Sequence, residues 1–157
     1  MSHPRFNSAL YLAAFVAVCD QLTKMWVVNN VLSPPSFYPV TDFMNFALVW
    51  NHGVTFGLLN RFDHHLMPYL LVLVAFLVLG LLGRWLWHTH SLVVALGLGA
   101  IIGGAFGNVI DRIRFGAVVD FIDVYYKNYH WYTFNLADAA IVCGVSLLML
   151  DSLVRGK

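Results

Sequence analysis

The chain reads as a mainly α-helical membrane protein with four transmembrane spans and a small β element on the outer face of the bilayer. Three observations predict this class. Hydrophobic residues make up 60% of the 157 positions and charged residues only 11%, with a mean hydropathy of +0.73. A soluble domain averages about 25% charged residues, and a chain of this size cannot hide so much apolar surface in one small core. Four segments reach the roughly 20 apolar residues that cross a bilayer. The two long connections between spans mix β-branched and aromatic residues with glycine breaks, which is a strand signature.

The first span is expected at about 8–28. Its start resembles a cleavable lipoprotein leader, with Arg5, an apolar run and then Cys19. Val18 stands where such a leader needs a small residue, and the apolar pattern continues through "DQLTKMWVV", so a retained span is expected. Asp20 and Lys24, four apart on one helical face, are read as a mutually neutralising pair that either snorkels or packs in an interface, and as supports for a polar cavity. Residues 42–59, "DFMNFALVWNHGVTFGLL", are expected as a bent strand pair with its break at Asn51-His52-Gly53.

The second and third spans, about 68–87 and 91–110, are joined by "WHTHS" and form an antiparallel hairpin. Gly99, Gly103 and Gly107 recur every four residues in the third, a small-residue face for close helix packing. Asn108, Asp111 and Arg112 follow at i, i+3 and i+4, with Asp111 and Arg112 expected as a structural ion pair. Residues 116–126, "GAVVDFIDVYY", read as extended and "KNYHW" as a turn. Tyr125, Tyr126, Tyr129, Trp131 and Tyr132 form an aromatic group suited to a membrane interface. The fourth span is expected at about 136–154. Four spans put both termini on one side with the "WHTHS" turn. The higher Lys/Arg density there makes that side cytoplasmic under the positive-inside rule.

Composition also excludes. A net charge of +1 and the lack of any basic cluster or RNA-reading motif give no nucleic-acid partner. All eight acids are Asp, which rules out a His-Glu-x-x-His zinc protease. Cys19 and Cys143 lie in apolar runs and are expected as buried small hydrophobes, not a disulfide. No metal site and no cofactor are expected. His64, His65, His88 and His90 are expected in solvated loops.

Two carboxylates stand out. Asp120 lies in an apolar strand, and Asp138 lies at the start of the fourth span. A lone Asp there is often an N-cap, but a second Asp on the same membrane side is not explained by capping. Two meeting carboxylates share a proton, leaving one acid and one base. Asp123 rivals Asp120, but three residues along an extended strand it points to the other face, so only one of them faces Asp138. Asn135, three residues before Asp138, points the same way if that turn is helical. A proton-coupled transporter or channel subunit also uses intramembrane Asp and Lys, and a scaffold protein would use the Gly face. The transporter predicts polar groups spread through the membrane depth, whereas here they cluster toward one side.

The blocks "DQLTK" (20–24), "WNHGVTFG" (50–57), "GGAFGNVIDR" (103–112), "GAVVDFIDV" (116–124) and "FNLADAAI" (134–141) occur in order along nearly the whole chain. Together they resemble lipoprotein signal peptidase, also called signal peptidase II. The resemblance implies a single intramembrane aspartic peptidase domain over 1–157, with four helices, an extracytoplasmic β-cradle and a short interfacial helix. It implies an enzyme of the bacterial inner membrane that cuts prolipoproteins before a diacylglyceryl-modified Cys, with its site toward the extracytoplasmic side. Partners are then such prolipoproteins and membrane lipid, and the chain is expected as a monomer. The implied catalytic dyad is Asp120 and Asp138. Asp20, Lys24, Asn51, Gly53, Asn108, Asp111, Arg112, Asn135 and Ala137 match recurrent positions that support the site or contact substrate. Amide donors from Asn51 and Asn135 to the substrate backbone are expected. One departure is Val54-Thr55, where the family pattern has two alanines, which bears on the local cradle shape.

Overall fold

The computed structural model describes residues 4–30, 37–53 and 66–155. The order is α1 (Pro4–Asn30), β1 (Phe37–Thr41), β2 (Met44–Asn51), α2 (Met67–His88), α3 (Leu92–Phe115), β3 (Val118–Tyr126), β4 (Tyr129–His130) and α4 (Leu136–Arg155). All four helices are long and apolar enough to cross a membrane. They outrun the expected spans, because a membrane helix does not stop at the hydrocarbon edge. α1 runs unbroken through Cys19 to Asn30, and α3 carries five residues past Ile110 to Phe115. The short interfacial helix is not among the described elements, and Val54, Thr55, His64 and His65 lie outside the described residues.

Backbone approach sets the helix arrangement. A side chain on Gly99 or Gly103 would lie 2.6 Å from Ala9 O or 2.5 Å from Ala13 O. The glycine face therefore lets α3 lie directly on α1, and ascending numbers on both show that they run parallel. Gly97 and Gly144 meet backbone to backbone, which brings α4 against the other side of α3 in the opposite direction. Ser91 caps α3, accepting the Val94 N–H at 3.3 Å, so the three-residue turn after His88 closes the α2–α3 hairpin. Gly116, with φ of +70°, ends α3 in the left-handed conformation and sends the chain into β3.

The sheet has order β1-β2-β3-β4, antiparallel throughout. Of the stretch 42–59, expected to hold a strand pair, residues 44–51 form one strand whose hairpin partner, β1, precedes it, and residues 54–59 lie outside the described residues. β2 then pairs with β3 from the other long connection, with Asn45 opposite Asp123 and Val49 opposite Asp120. The register slips by one residue between those pairs, a β-bulge in β2. Because β2 and β3 come from the two long connections, pairing them fixes both at one end of the bundle. Val27, at the end of α1, packs on Phe121 and Phe46 and fastens the sheet there.

Large apolar side chains such as Phe15, Leu73, Leu77, Leu81, Val142 and Leu153 are exposed on the outside of the helices, a surface suited to a bilayer. Cys143 belongs to this surface and Cys19 is half-buried, so the expectation of two buried thiols is corrected. Both are free. Tyr126, Tyr129, Trp131 and Tyr132 are all exposed at the sheet end.

Candidate active site

α4 begins at Leu136, which makes Asn135 its N-cap. Asn135 Oδ1 accepts the Asp138 N–H at 2.9 Å, and Asp138 Oδ2 accepts the Asn135 N–H at 3.3 Å. Two otherwise unpaired donors are satisfied reciprocally, in the manner of a capping box. Asn135 caps the helix, not Asp138, which sits at the third helical position. Its other oxygen, Oδ1, accepts from Asn108 Nδ2 at 2.8 Å.

Asp120 comes from β3 and is 2% exposed. Its Oδ1 accepts from Asn135 Nδ2 at 2.6 Å and its Oδ2 from Asn51 Nδ2 at 2.9 Å. Asn135 Nδ2 also donates to Asn108 Oδ1 at 3.1 Å. Asn108 and Asn135 therefore form a two-amide bridge between the Asp120 and Asp138 carboxylates. The amides of Asn51 and Asn135, expected on the substrate, donate to Asp120 here. Asn51 is itself held by a side-chain turn, its Oδ1 accepting the Gly53 N–H at 2.8 Å. Gly53 has φ of +77°, a conformation that favours glycine and explains the Asn-x-Gly spacing. Asp123 points to the opposite face, as strand alternation requires, and bonds Asn45 and His130.

Beneath this lies a buried ionic layer. Lys24 Nζ contacts Asp20 Oδ2 at 2.9 Å, Asp111 Oδ2 at 2.8 Å and Asn108 Oδ1 at 3.0 Å. All three of its donors are used, so Lys24 packs in an interface and does not snorkel. The second oxygen of Asp20 accepts the Ala137 N–H of α4 at 3.0 Å, and Asp111 Oδ2 accepts the Val119 N–H of β3 at 3.1 Å. Gly107 leaves room for this: a Cβ there would meet Asp20 Oδ2 at 2.5 Å. Gln21, which sequence reasoning passed over, completes the layer by donating to Asp111 Oδ1 at 2.8 Å. Its only signal was its place between Asp20 and Lys24.

The expected Asp111–Arg112 ion pair is corrected. Adjacent helical residues point about 100° apart, so Asp111 turns to Lys24 while Arg112 Nη1 donates to the Asn108 carbonyl at 3.3 Å. Arg112 Nε is buried and has no hydrogen-bond partner among the described residues.

Burial pushes the Asp120 carboxyl up to about 6. The Asn51 amide opposes that rise, the Asp138 charge adds to it, and the Asn135 amide and Lys24 ammonium oppose it. Asp20, Lys24, Asn108, Asp111, Asp120, Asn135 and Asp138 meet where the C-terminal ends of α1 and α3, the N-terminus of α4 and β3 converge. They are not spread through the depth of the bundle, as a proton path would require. Two carboxylates in one hydrogen-bonded cluster are suited to acid–base work on water.

A family model described as signal peptidase (SPase) II matches residues 12–154. A lipoprotein signal peptidase of Solibacter usitatus (strain Ellin6076) is 40% identical over 148 residues, covering 93% of this chain and 90% of its own length. One from Beijerinckia indica subsp. indica is 43% identical over 144 residues, covering 90% and 85%. A solved bacterial membrane enzyme, determined by the in meso method at 2.3 Å, superposes with a TM-score of 0.81 at 25% identity, covering 96% of this chain and 90% of that one.

Proposed function

The chain belongs to the signal peptidase II family, the lipoprotein signal peptidases, and from that membership we propose that Asp120 and Asp138 are its catalytic dyad. It is a protease and a multi-pass membrane protein that removes signal peptides from lipoprotein precursors. The observation that carries the dyad is the Asn108–Asn135 amide bridge, which ties buried Asp120 and half-buried Asp138 into one hydrogen-bonded unit.

In the working state the pair holds one proton. The Asp138 charge is among the causes of the raised Asp120 value, so a value of about 6 belongs to the step from one shared proton to none. One member holds that proton and the other is the base. The base takes a proton from water, and the resulting hydroxide attacks the peptide carbonyl before the diacylglyceryl-modified Cys. The protonated member hydrogen-bonds the carbonyl oxygen and then protonates the leaving amine. Acid–base help of this kind is worth about 10²–10⁴-fold. The rest comes from positioning and from electrostatic stabilisation in the buried site. Asp20, Lys24 and Asp111 hold α1, α3, β3 and α4 in register beneath the dyad, while Asn51, Gly53, Asn108, Asn135 and Ala137 set the carboxylates. No metal or cofactor enters these steps.

Membrane lipid bathes the outward apolar faces, the diacyl chains of the substrate enter from it sideways, and the enzyme acts as a monomer in the bacterial inner membrane. The termini are cytoplasmic and the dyad is extracytoplasmic. The test is Asp120→Asn and Asp138→Asn, made separately and purified in detergent. Each is expected to remain folded and to process a lipidated prolipoprotein at least a thousandfold more slowly, on the order of the loss from removing a general acid or base. Parental processing by either variant overturns the dyad.

A further inference from the structure

On the far face of β3 from Asp120 lies a second polar cluster that this chemistry does not use. Asp123 is 2% exposed, yet it carries a carboxylate. Asn45, its cross-strand partner on β2, donates to Oδ2 at 3.1 Å. His130 of β4 places Nδ1 2.9 Å from both carboxylate oxygens, and its ring stacks on Tyr125 at 5.2 Å between centroids. A buried carboxylate needs such partners, because an unpaired one is strongly destabilising.

The location of His130 gives the cluster its meaning. β4 opens the return segment 129–135, which runs antiparallel beside β3 and ends at the α4 cap. That segment is fastened to β3 at two points. Near its start, His130 grips Asp123, and the Trp131 N–H donates to Val124 O at 2.8 Å. Near its end, Phe134 O accepts from the Phe121 and Ile122 N–H groups at 3.0 and 2.8 Å, and the Phe134 N–H donates to Ile122 O at 3.1 Å. The next residue is Asn135, whose amide lies 2.6 Å from Asp120, and Asp138 follows within the same cap. β4 itself is only two residues long and exposed, so ladder bonds alone hold it weakly.

We propose that Asp123 and His130 form a positioning clamp that keeps the segment bearing Asn135 and Asp138 in register with the strand bearing Asp120. The clamp rests on the dyad reading. It acts through the backbone: losing it lets 129–134 slide or fray, and the Asn135 amide moves off Asp120. A displacement of 1 Å in such a constellation costs up to about 10²-fold in rate. Weakening the Asn135–Asp120 bond also removes a donor that favours the ionised carboxylate, so Asp120 releases its proton at higher pH. The other groups facing Asp120 are Asn51 from β2, Lys24 from α1 and Asp138 from α4. Arg112 of α3 lies within electrostatic reach of it. The clamp touches none of these four.

The experiment compares His130→Phe, which keeps an aromatic ring on Tyr125 but removes the N–H, with His130→Asn, whose amide stands where Nδ1 does. Both are assayed on a lipidated prolipopeptide in detergent across pH. His130→Phe is expected to lower kcat roughly tenfold or more with little change in KM, and to move the alkaline midpoint of kcat/KM upward. His130→Asn is expected to restore both. Parental kcat and midpoint in a folded His130→Phe overturn the clamp, as does equal loss in His130→Asn, which would mark a need for the imidazole itself. If His130→Phe does not accumulate, Tyr125→Leu, which withdraws only the stacked ring, is read the same way. A smaller kcat loss with a raised midpoint supports the clamp, and parental values overturn it. Activity in Asp120→Asn would sink the dyad whatever His130 does. An inactive Asp120→Asn beside a parental His130→Phe sinks only the clamp.

Discussion

Asp120 sits between forces that nearly balance. Burial and the Asp138 charge hold its proton, while two amides and the Lys24 ammonium draw it off. The sign of the pH dependence follows. On the proposed one-proton mechanism the pair loses its proton at about 6, and kcat/KM of the free enzyme is expected to fall as pH rises through this region. Asn51→Ala removes the strongest of the interactions that oppose the rise, so the alkaline midpoint should move upward. A pH–rate profile on a lipidated prolipopeptide checks both statements. A profile that instead rises through pH 6 would overturn the one-proton working state. Much of this residue-scale picture was legible in advance. Strand alternation separated Asp120 from Asp123, and helical spacing put Asn135 beside Asp138. The direction of the amides was not legible. Whether Asn51 and Asn135 address substrate or carboxylate depends on which acceptor lies nearest, and Asp120 is 69 and 15 residues away in the chain.

At the scale of elements, helix lengths and the glycine face followed from hydropathy and spacing alone. Gly103 meets the Ala13 backbone, which cannot swing aside as a flexible side chain would. Gly103→Ala is therefore expected to destabilise the protein by about 1–3 kcal/mol, the usual range for overpacking. Gly80→Ala on α2, where a Cβ meets open space, should be neutral or slightly stabilising. Thermal unfolding of both in the same detergent decides the matter, and equal behaviour would refute the close α1–α3 packing. Strand pairing was harder to foresee. Residues 42–59 contain the composition of two strands, but β2 found one partner before it and one after the third helix. Composition marks a segment as extended without saying which edge it joins.

The molecule as a whole is organised around one end. Lys24 joins α1 to α3 directly, and its acid partners reach α4 through the Ala137 N–H and β3 through the Val119 N–H. Lys24→Met leaves Asp20 and Asp111 buried without their cation, so a loss of about 3–5 kcal/mol in stability is expected. Denaturation in detergent measures it, and a folded, parental-stability Lys24→Met would show the layer to be dispensable. Orientation is tested with a membrane-impermeant maleimide in a background lacking Cys19 and Cys143. Asn128→Cys, in the exposed β3–β4 turn, should label in intact spheroplasts, and His90→Cys only after lysis. The reverse pattern would invert the assignment. The sequence by itself determined the apolar character, the four helices and the family resemblance, and it singled out Asp120 and Asp138 as candidates, because hydropathy, periodicity and motif order are properties of the chain read along its length. Only the tertiary structure decided that Lys24 bridges two aspartates, that Arg112 does not pair with Asp111, and that an amide bridge joins the dyad. The longest of those contacts, Lys24 to Asp111, spans 87 positions, and helix rotation and strand register settle them, not spacing within any one segment.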